Sequence, residues 1–309
     1  MVNMTVRIGS LTLKNPIMPG SGCFSEELHR LYDVGQLGAF VPKSIEVTPR
    51  EGNPVPRVAE TPQGMLNSIG LPTFGLSHFL ERQLPIFTRF GNPLVVSVSA
   101  ATADEFAEIC RAVSLSEVAG IEANIYCPNK EEAGRAFAMQ PDSTLRVVKA
   151  IRQATDKPVW AKLTPNTADI AEVAVAAEEG GADALVVANT ILGMAVDIAT
   201  FRPKLGHVTG GLSGPAVKPI IVRMVYQCAK AVRIPIIASG GIMTADDVVE
   251  YMAVGATAAQ VGTANFLEPG AMPTIIADLR RFCEARGFAN VTDLIGRTLR
   301  FEPAAALVA

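Results

Sequence analysis

Histidine is scarce in this chain: 309 residues carry three, His29, His78 and His207, and no two are spaced as a metal-binding pair. Acid–base chemistry therefore falls to other side chains. Cysteine is sparse too. Cys23, Cys110, Cys127, Cys228 and Cys283 lie scattered without paired spacing, which argues against a disulfide framework, a zinc knuckle or an iron–sulfur cluster held by this chain. A reducing, cytoplasmic setting fits. Positive charge is not in excess: 27 Lys and Arg against 30 Asp and Glu give a formal net charge of −3. Nucleic-acid binding needs a basic face, so small-molecule partners are favoured over tRNA or DNA. Mean hydropathy is +0.29, yet charges, Pro and Gly interrupt each apolar run before the roughly 18 residues that span a bilayer. No membrane association is expected. The N-terminus lacks the continuous apolar core of a signal peptide, and no dinucleotide fingerprint follows a strand.

What the chain does have is rhythm. Short runs rich in β-branched residues alternate with stretches of helical periodicity, the pattern of βα units. Strands are expected near 16–19, 39–43, 94–98, 120–125, 159–163, 184–188, 235–238 and 259–261. Eight such strands predict an α/β fold, a closed (β/α)8 barrel of TIM type. Segments 101–114, 144–155, 170–180, 218–232 and 244–255 supply outer helices. Residues 1–14 alternate around Gly9-Ser10 and read as a hairpin, while the Ala-rich end, 302–309, reads as a loose tail. With 49% hydrophobic residues and no linker, the whole length 1–309 is expected to form one domain. Insertions at 48–74 and 191–214 follow the second and sixth strands, at the end of a barrel where sites are built.

The segment Asn124-Ile125-Tyr126-Cys127-Pro128-Asn129 closes an apolar strand with one thiol between two carboxamides. A thiol can take a proton from carbon, and Asn side chains match the donor–acceptor edge of a pyrimidine or similar imide. A buried structural Cys before a turn Pro is the plainer alternative. Asn67, and Asn189 beside Thr190, add carboxamides at the same face, more than turns alone require. Lys43 and Lys162 sit at strand ends among apolar neighbours, where an ammonium is costly to bury unless it meets an anion. A substrate carboxylate or the N1 and O2 edge of a reduced flavin would serve. Snorkelling out of the barrel mouth, or a Schiff-base role for Lys162, are the alternatives.

Ser239-Gly240-Gly241-Ile242 and Gly262-Thr263-Ala264-Asn265 follow the seventh and eighth strands. In barrels these loops commonly offer backbone N–H groups and a helix N-terminus to a phosphate. A third glycine turn, Gly210-Gly211-Leu212-Ser213-Gly214-Pro215, opens a helix and could close over the same anion.

Several blocks in order resemble one family. They are Pro49-Arg50-Glu51-Gly52-Asn53-Pro54, Met65-Leu66-Asn67-Ser68-Ile69-Gly70-Leu71, Cys127-Pro128-Asn129, Asn189-Thr190-Ile191-Leu192-Gly193-Met194-Ala195, Gly210 to Pro215, and Gln260-Val261-Gly262-Thr263-Ala264-Asn265-Phe266. The chain is similar over nearly its whole length to class 1 dihydroorotate dehydrogenases, and within them to the class 1B flavin subunit. That resemblance implies an FMN-bearing barrel that oxidises dihydroorotate to orotate in pyrimidine synthesis, an oxidoreductase acting on a CH–CH bond. It implies that Cys127 takes the proton from C5 while hydride passes from C6 to flavin N5. Lys43, Asn67, Gly70, Leu71, Asn124, Asn129, Asn189 and Thr190 would hold the substrate. Ser21, Gly22, Lys43, Ser44, Ser97, Asn124, Lys162, Gly214, Gly240, Gly241, Gly262 and Thr263 would hold FMN. The resemblance further implies an electron-transfer subunit carrying FAD and an iron–sulfur cluster, in a homodimer or heterotetramer.

Departures from the family pattern are Ser97, where Asn is frequent, and Ala123 and Tyr126, where Leu and Ser are usual. They leave room for a related substrate. A tRNA dihydrouridine synthase, also a flavin barrel with a catalytic Cys, is a rival reading that the acidic balance disfavours. Further alternatives are a Schiff-base aldolase using Lys162 and a non-catalytic barrel.

Overall fold

Val95–Val98 and Ala184–Val187 are buried at every position, as parallel strands covered on both faces must be. A computed structural model describes residues 1–126 and 136–301, apart from the side chains of Glu26 and Leu28. A hairpin of β1 (Val6–Ile8) and β2 (Leu11–Leu13) precedes the first barrel strand, β3 (Ile17–Pro19). The first insertion carries β4 (Val58–Thr61) and β5 (Gly64–Asn67). Barrel strands β6 (Val95–Val98), β7 (Gly120–Asn124), β8 (Val159–Lys162) and β9 (Ala184–Val187) follow. The second insertion holds β10 (Ile191–Met194), β11 (Val196–Asp197), β12 (Arg202–Pro203) and β13 (Thr209–Ser213). Last come β14 (Ile236–Ser239) and β15 (Ala258–Val261).

Seven strands form one parallel sheet in the order β3-β15-β14-β9-β8-β7-β6. The eighth position belongs to the segment expected as a strand at 39–43, which makes only an isolated parallel bridge, Phe40 to Leu94. Pro42 has no N–H to give a ladder. The segment still joins the sheet's two edges: Gly38 N donates to Ile17 O at 2.8 Å, and Phe40 N to Pro93 O at 2.8 Å. The barrel is closed.

Outer helices bury one face each. In Ala103–Ser114 the buried residues Phe106, Ile109, Cys110 and Val113 recur at helical spacing, and Thr102 caps the start by accepting from Glu105 N at 3.2 Å. Pro141–Ala154 begins three residues before the apolar pattern does, because Pro141 is preset for the first helical turn. Among the described residues, no helix is long and apolar enough to cross a membrane.

The two insertions are not separate loops. Four of their strands pair as one antiparallel sheet, β10-β13-β5-β4, while β11 and β12 pair with each other. Residues 210–213, expected as a turn, are therefore strand, with Gly211 opposite both Leu192 and Asn67. A Cβ on Gly210 would lie 2.5 Å from Asn67 O, so the neighbouring strand can approach only a glycine. The turn itself is at Gly214, φ +99°.

Candidate active site

In a pleated strand alternate side chains share a face, and Glu122 and Asn124 stand two apart on β7. Gln260 on β15 is not a sheet neighbour of β7 or β8, so contacts among them cross the barrel interior. Gln260 Nε2 donates to Glu122 Oε2 at 2.5 Å, and Lys162 Nζ donates to Gln260 Oε1 at 2.9 Å. Lys162 also reaches Ser21 Oγ at 3.3 Å and Glu122 Oε1 at 3.6 Å. The anion that buried Lys162 requires is thus supplied within the protein.

From Glu122 a second row of polar groups runs to the mouth. Ser97 Oγ lies 3.0 Å from Glu122 Oε1 and 2.8 Å from Ser44 Oγ. Asn124 Nδ2 donates to Ser44 Oγ at 3.2 Å, and Asn189 Nδ2 to Asn124 Oδ1 at 3.2 Å. Thr190 N closes on Asn189 Oδ1 at 2.8 Å. Asn67, at the end of β5, donates to Gly211 O at 3.3 Å, and Gly211 packs against Thr190. Asn67, Asn124, Asn189 and Thr190 therefore belong to one connected border. Gly70 and Leu71 have φ of +77° and +53°. A Cβ on Gly70 would meet Asn53 N at 2.4 Å, so this turn is held against the start of the same insertion.

Lys43 and Gly22 face each other: a Cβ on Gly22 would sit 3.7 Å from Lys43 Nζ. Burial lowers the Lys43 pKa below the ordinary lysine range, partly opposed by Cys23. Among the described residues, Lys43 makes no ion pair. Burial pushes the Cys23 thiol up, against the pull of Lys162 and Lys43.

The glycine loops converge. A Cβ on Gly241, φ +68°, would lie 2.9 Å from Gly214 O, and one on Gly262 would lie 3.5 Å from Cys23 Sγ. Thr263 Oγ1 donates to Ser213 Oγ at 2.9 Å, and Tyr251 Oη holds Gly240 O at 2.5 Å. Among the described residues, the N–H groups of Gly240, Gly241, Gly262 and Thr263 make no backbone hydrogen bond, which suits an anion. At the start of the helix expected to share that anion stands a carboxylate of the protein itself. Asp247 accepts from Met243 N at 2.8 Å and Thr244 N at 2.9 Å, capping Ala245–Ala253 with its own carboxylate.

Cys127 and Asn129 lie outside the described residues. Glu122, Gln260 and Cys23 were not singled out from sequence as site residues, nor was Asn166, which donates to Thr190 O at 3.0 Å and accepts from Leu192 N at 2.8 Å. The available signal was a charged or amide residue inside an apolar barrel strand, as in Gly120–Asn124 and Ala258–Val261.

A closed barrel with a polar layer inside, an amide border at the strand ends and glycine loops beside it has the form of the (β/α)8-barrel enzymes, whose sites lie at the C-terminal mouth. The profile of the dihydroorotate dehydrogenase family matches residues 3–283. The chain is 47% identical over 301 residues to the dihydroorotate dehydrogenase B (NAD(+)) catalytic subunit of Geobacillus kaustophilus, covering 96% of each chain. The proteins of the same description from Geobacter sulfurreducens and Listeria monocytogenes are 47% and 45% identical, covering 95% of this chain and 97% and 98% of theirs. This chain belongs to the dihydroorotate dehydrogenase family, an oxidoreductase family, and the aldolase and dihydrouridine synthase readings are set aside.

Proposed function

We propose that this protein oxidises dihydroorotate to orotate in pyrimidine synthesis, with FMN as its cofactor. The observation that carries the reading is the unbroken row of polar groups from Lys162 to Thr190, lying beside glycine loops whose N–H groups make no backbone hydrogen bond among the described residues.

The residues suit a flavin mononucleotide. Its phosphate would be held by the loops of Gly214, Gly240, Gly241, Gly262 and Thr263. Its ring would meet Lys162, Ser21, Gly22, Ser44, Ser97 and Asn124. When bound, the flavin supplies the acceptor for two electrons. The protein's own residues do the rest. Lys43, half-buried and without an ion pair among the described residues, would meet the substrate carboxylate. Asn67, Asn124, Asn129 and Asn189 would read the imide edge, rejecting rings without matching donors and acceptors. Gly70, Leu71 and Thr190 would shape the pocket wall, and Cys127 would take the proton from C5.

The relatives' description as catalytic subunits implies a further subunit beside them. For this chain we infer a partner carrying FAD and an iron–sulfur cluster, in an assembly built on a homodimer or heterotetramer within the cytoplasm. The purified protein should be yellow, and anaerobic dihydroorotate should bleach it. Colour that persists, or its absence, overturns the reading.

A further inference from the structure

Glu122 is wholly buried on β7, where a carboxylate is costly unless every lone pair finds a donor. A carboxylate can only accept. That one fact sets the direction of each hydrogen bond leading away from it. Ser97 must give its single hydrogen to Glu122 Oε1 at 3.0 Å, so toward Ser44, 2.8 Å away, Ser97 can only accept. Ser44 then donates to Ser97 and must accept from Asn124 Nδ2 at 3.2 Å. The Asn124 amide is thereby oriented, with Oδ1 turned to Asn189 Nδ2 at 3.2 Å. Asn189 is oriented in turn, and its Oδ1 takes the Thr190 N–H at 2.8 Å. On the other side Gln260 has one permitted orientation, Nε2 to Glu122 at 2.5 Å and Oε1 to Lys162 at 2.9 Å.

We propose that Glu122 is a positioning residue that sets hydrogen-bond polarity at both ends of the site: the donor face of Asn124 and Asn189, and the placement of the Lys162 ammonium. It touches neither substrate nor cofactor in this role. The inference rests on the functional reading given above.

Glu122→Gln brings in a donor where the row requires an acceptor, and removes the negative charge beside Lys162. Orotate titrated into the flavin-loaded protein and followed by flavin absorbance should bind 10- to 100-fold more weakly. The midpoint potential of bound FMN should rise, since the lysine charge is then uncompensated beside a ring that becomes anionic on reduction. A tenfold gain in the affinity ratio of reduced over oxidised flavin corresponds to about 30 mV for a two-electron couple. Ser97→Ala is the milder variant, which cuts the row while leaving Glu122 with Gln260 and Lys162. It should weaken orotate about tenfold and move the potential less than Glu122→Gln does. Should both variants melt at lower temperature yet keep wild-type orotate affinity, or Glu122→Gln leave the potential unmoved, Glu122 is only a packing residue and the proposal falls. A wild-type protein that binds neither flavin nor orotate would instead sink the functional reading, and this proposal with it.

Discussion

Gly211 and Thr190 stand so close that a Cβ on the glycine would lie 1.9 Å from Thr190 Oγ1. The sheet made by the two insertions is thus pressed against the end of β9, where Asn189 and Thr190 leave the barrel. Gly211→Ala must push one of them away. Overpacking of this kind costs about 1–3 kcal/mol, so the melting temperature should fall, and KM for dihydroorotate should rise because Thr190 moves. Gly91→Ala is the control. No atom lies within 4 Å of that Cβ, and φ is +71°, so it should cost about 1 kcal/mol of stability and leave KM unchanged.

Asn189→Ala removes the donor to Asn124 Oδ1 and the acceptor for Thr190 N. Asn124 is 5% exposed, and a buried polar group left unpaired costs about 1–3 kcal/mol. KM for dihydroorotate is expected to rise about 10- to 100-fold, while the flavin content of the purified variant stays near that of wild type. Loss of flavin with KM unchanged would move Asn189 from the substrate side to the cofactor side.

The barrel was legible because strands buried on both faces are written as continuous apolar runs, and because capped amphipathic helices separate them. Residues 39–43 show the limit: the apolar run is real, but Pro42 leaves a single bridge. Gly210 and Gly211 predict a turn because glycine signals turns in sequence. Only the partners β5 and β10, far away in the chain, reveal a strand crowded on both sides. At the site, carboxamides and lysines at strand ends could be found singly. Glu122 and Gln260 could not be paired, since 138 residues separate them and only barrel closure brings them together. Asp247 at the helix start was hidden for the opposite reason: an acidic third residue is so ordinary a cap that its competition with an outside anion goes unnoticed.

Alkaline pH should weaken the fold through thiols remote from the site. Burial raises the pKa of Cys110 and of Cys228 from 9.0 to about 12. Each keeps its proton in the folded protein where the unfolded chain has lost it. The stabilisation is whole below pH 9.0 and is lost as pH rises from there toward about 12. Between pH 9 and about 10.5, each thiol should remove about 2 kcal/mol of unfolding free energy. Lys43 works the other way, because the penalty on its buried charge fades as it deprotonates. Urea midpoints measured across this range should fall, and less steeply in Cys228→Ala. An identical slope in that variant would contradict the assignment.

Asp247 sits at a helix start of the kind that barrels commonly offer to a phosphate. Burial works to raise its pKa, but the Lys218 hydrogen bond at 2.6 Å and the N–H groups of Met243 and Thr244 outweigh it and hold the carboxyl below its usual range. A depressed carboxylate stabilises the fold above its unfolded pKa of 3.8, and this is lost as pH falls through the folded value. Asp247→Ala should therefore cost about 1–3 kcal/mol at neutral pH and flatten the acid limb of the stability curve. Its effect on the cofactor separates two sources of phosphate binding. If the loops at Gly240, Gly241, Gly262 and Thr263 hold the phosphate, FMN affinity should stay within about threefold of wild type, because those N–H groups are untouched. If the helix N-terminus holds it, removing a competing carboxylate should strengthen FMN binding about tenfold or more. Titration of FMN into the apoprotein, followed by quenching of flavin fluorescence, decides between them, and the Asp247 carboxylate at the start of Ala245–Ala253 predicts the first result.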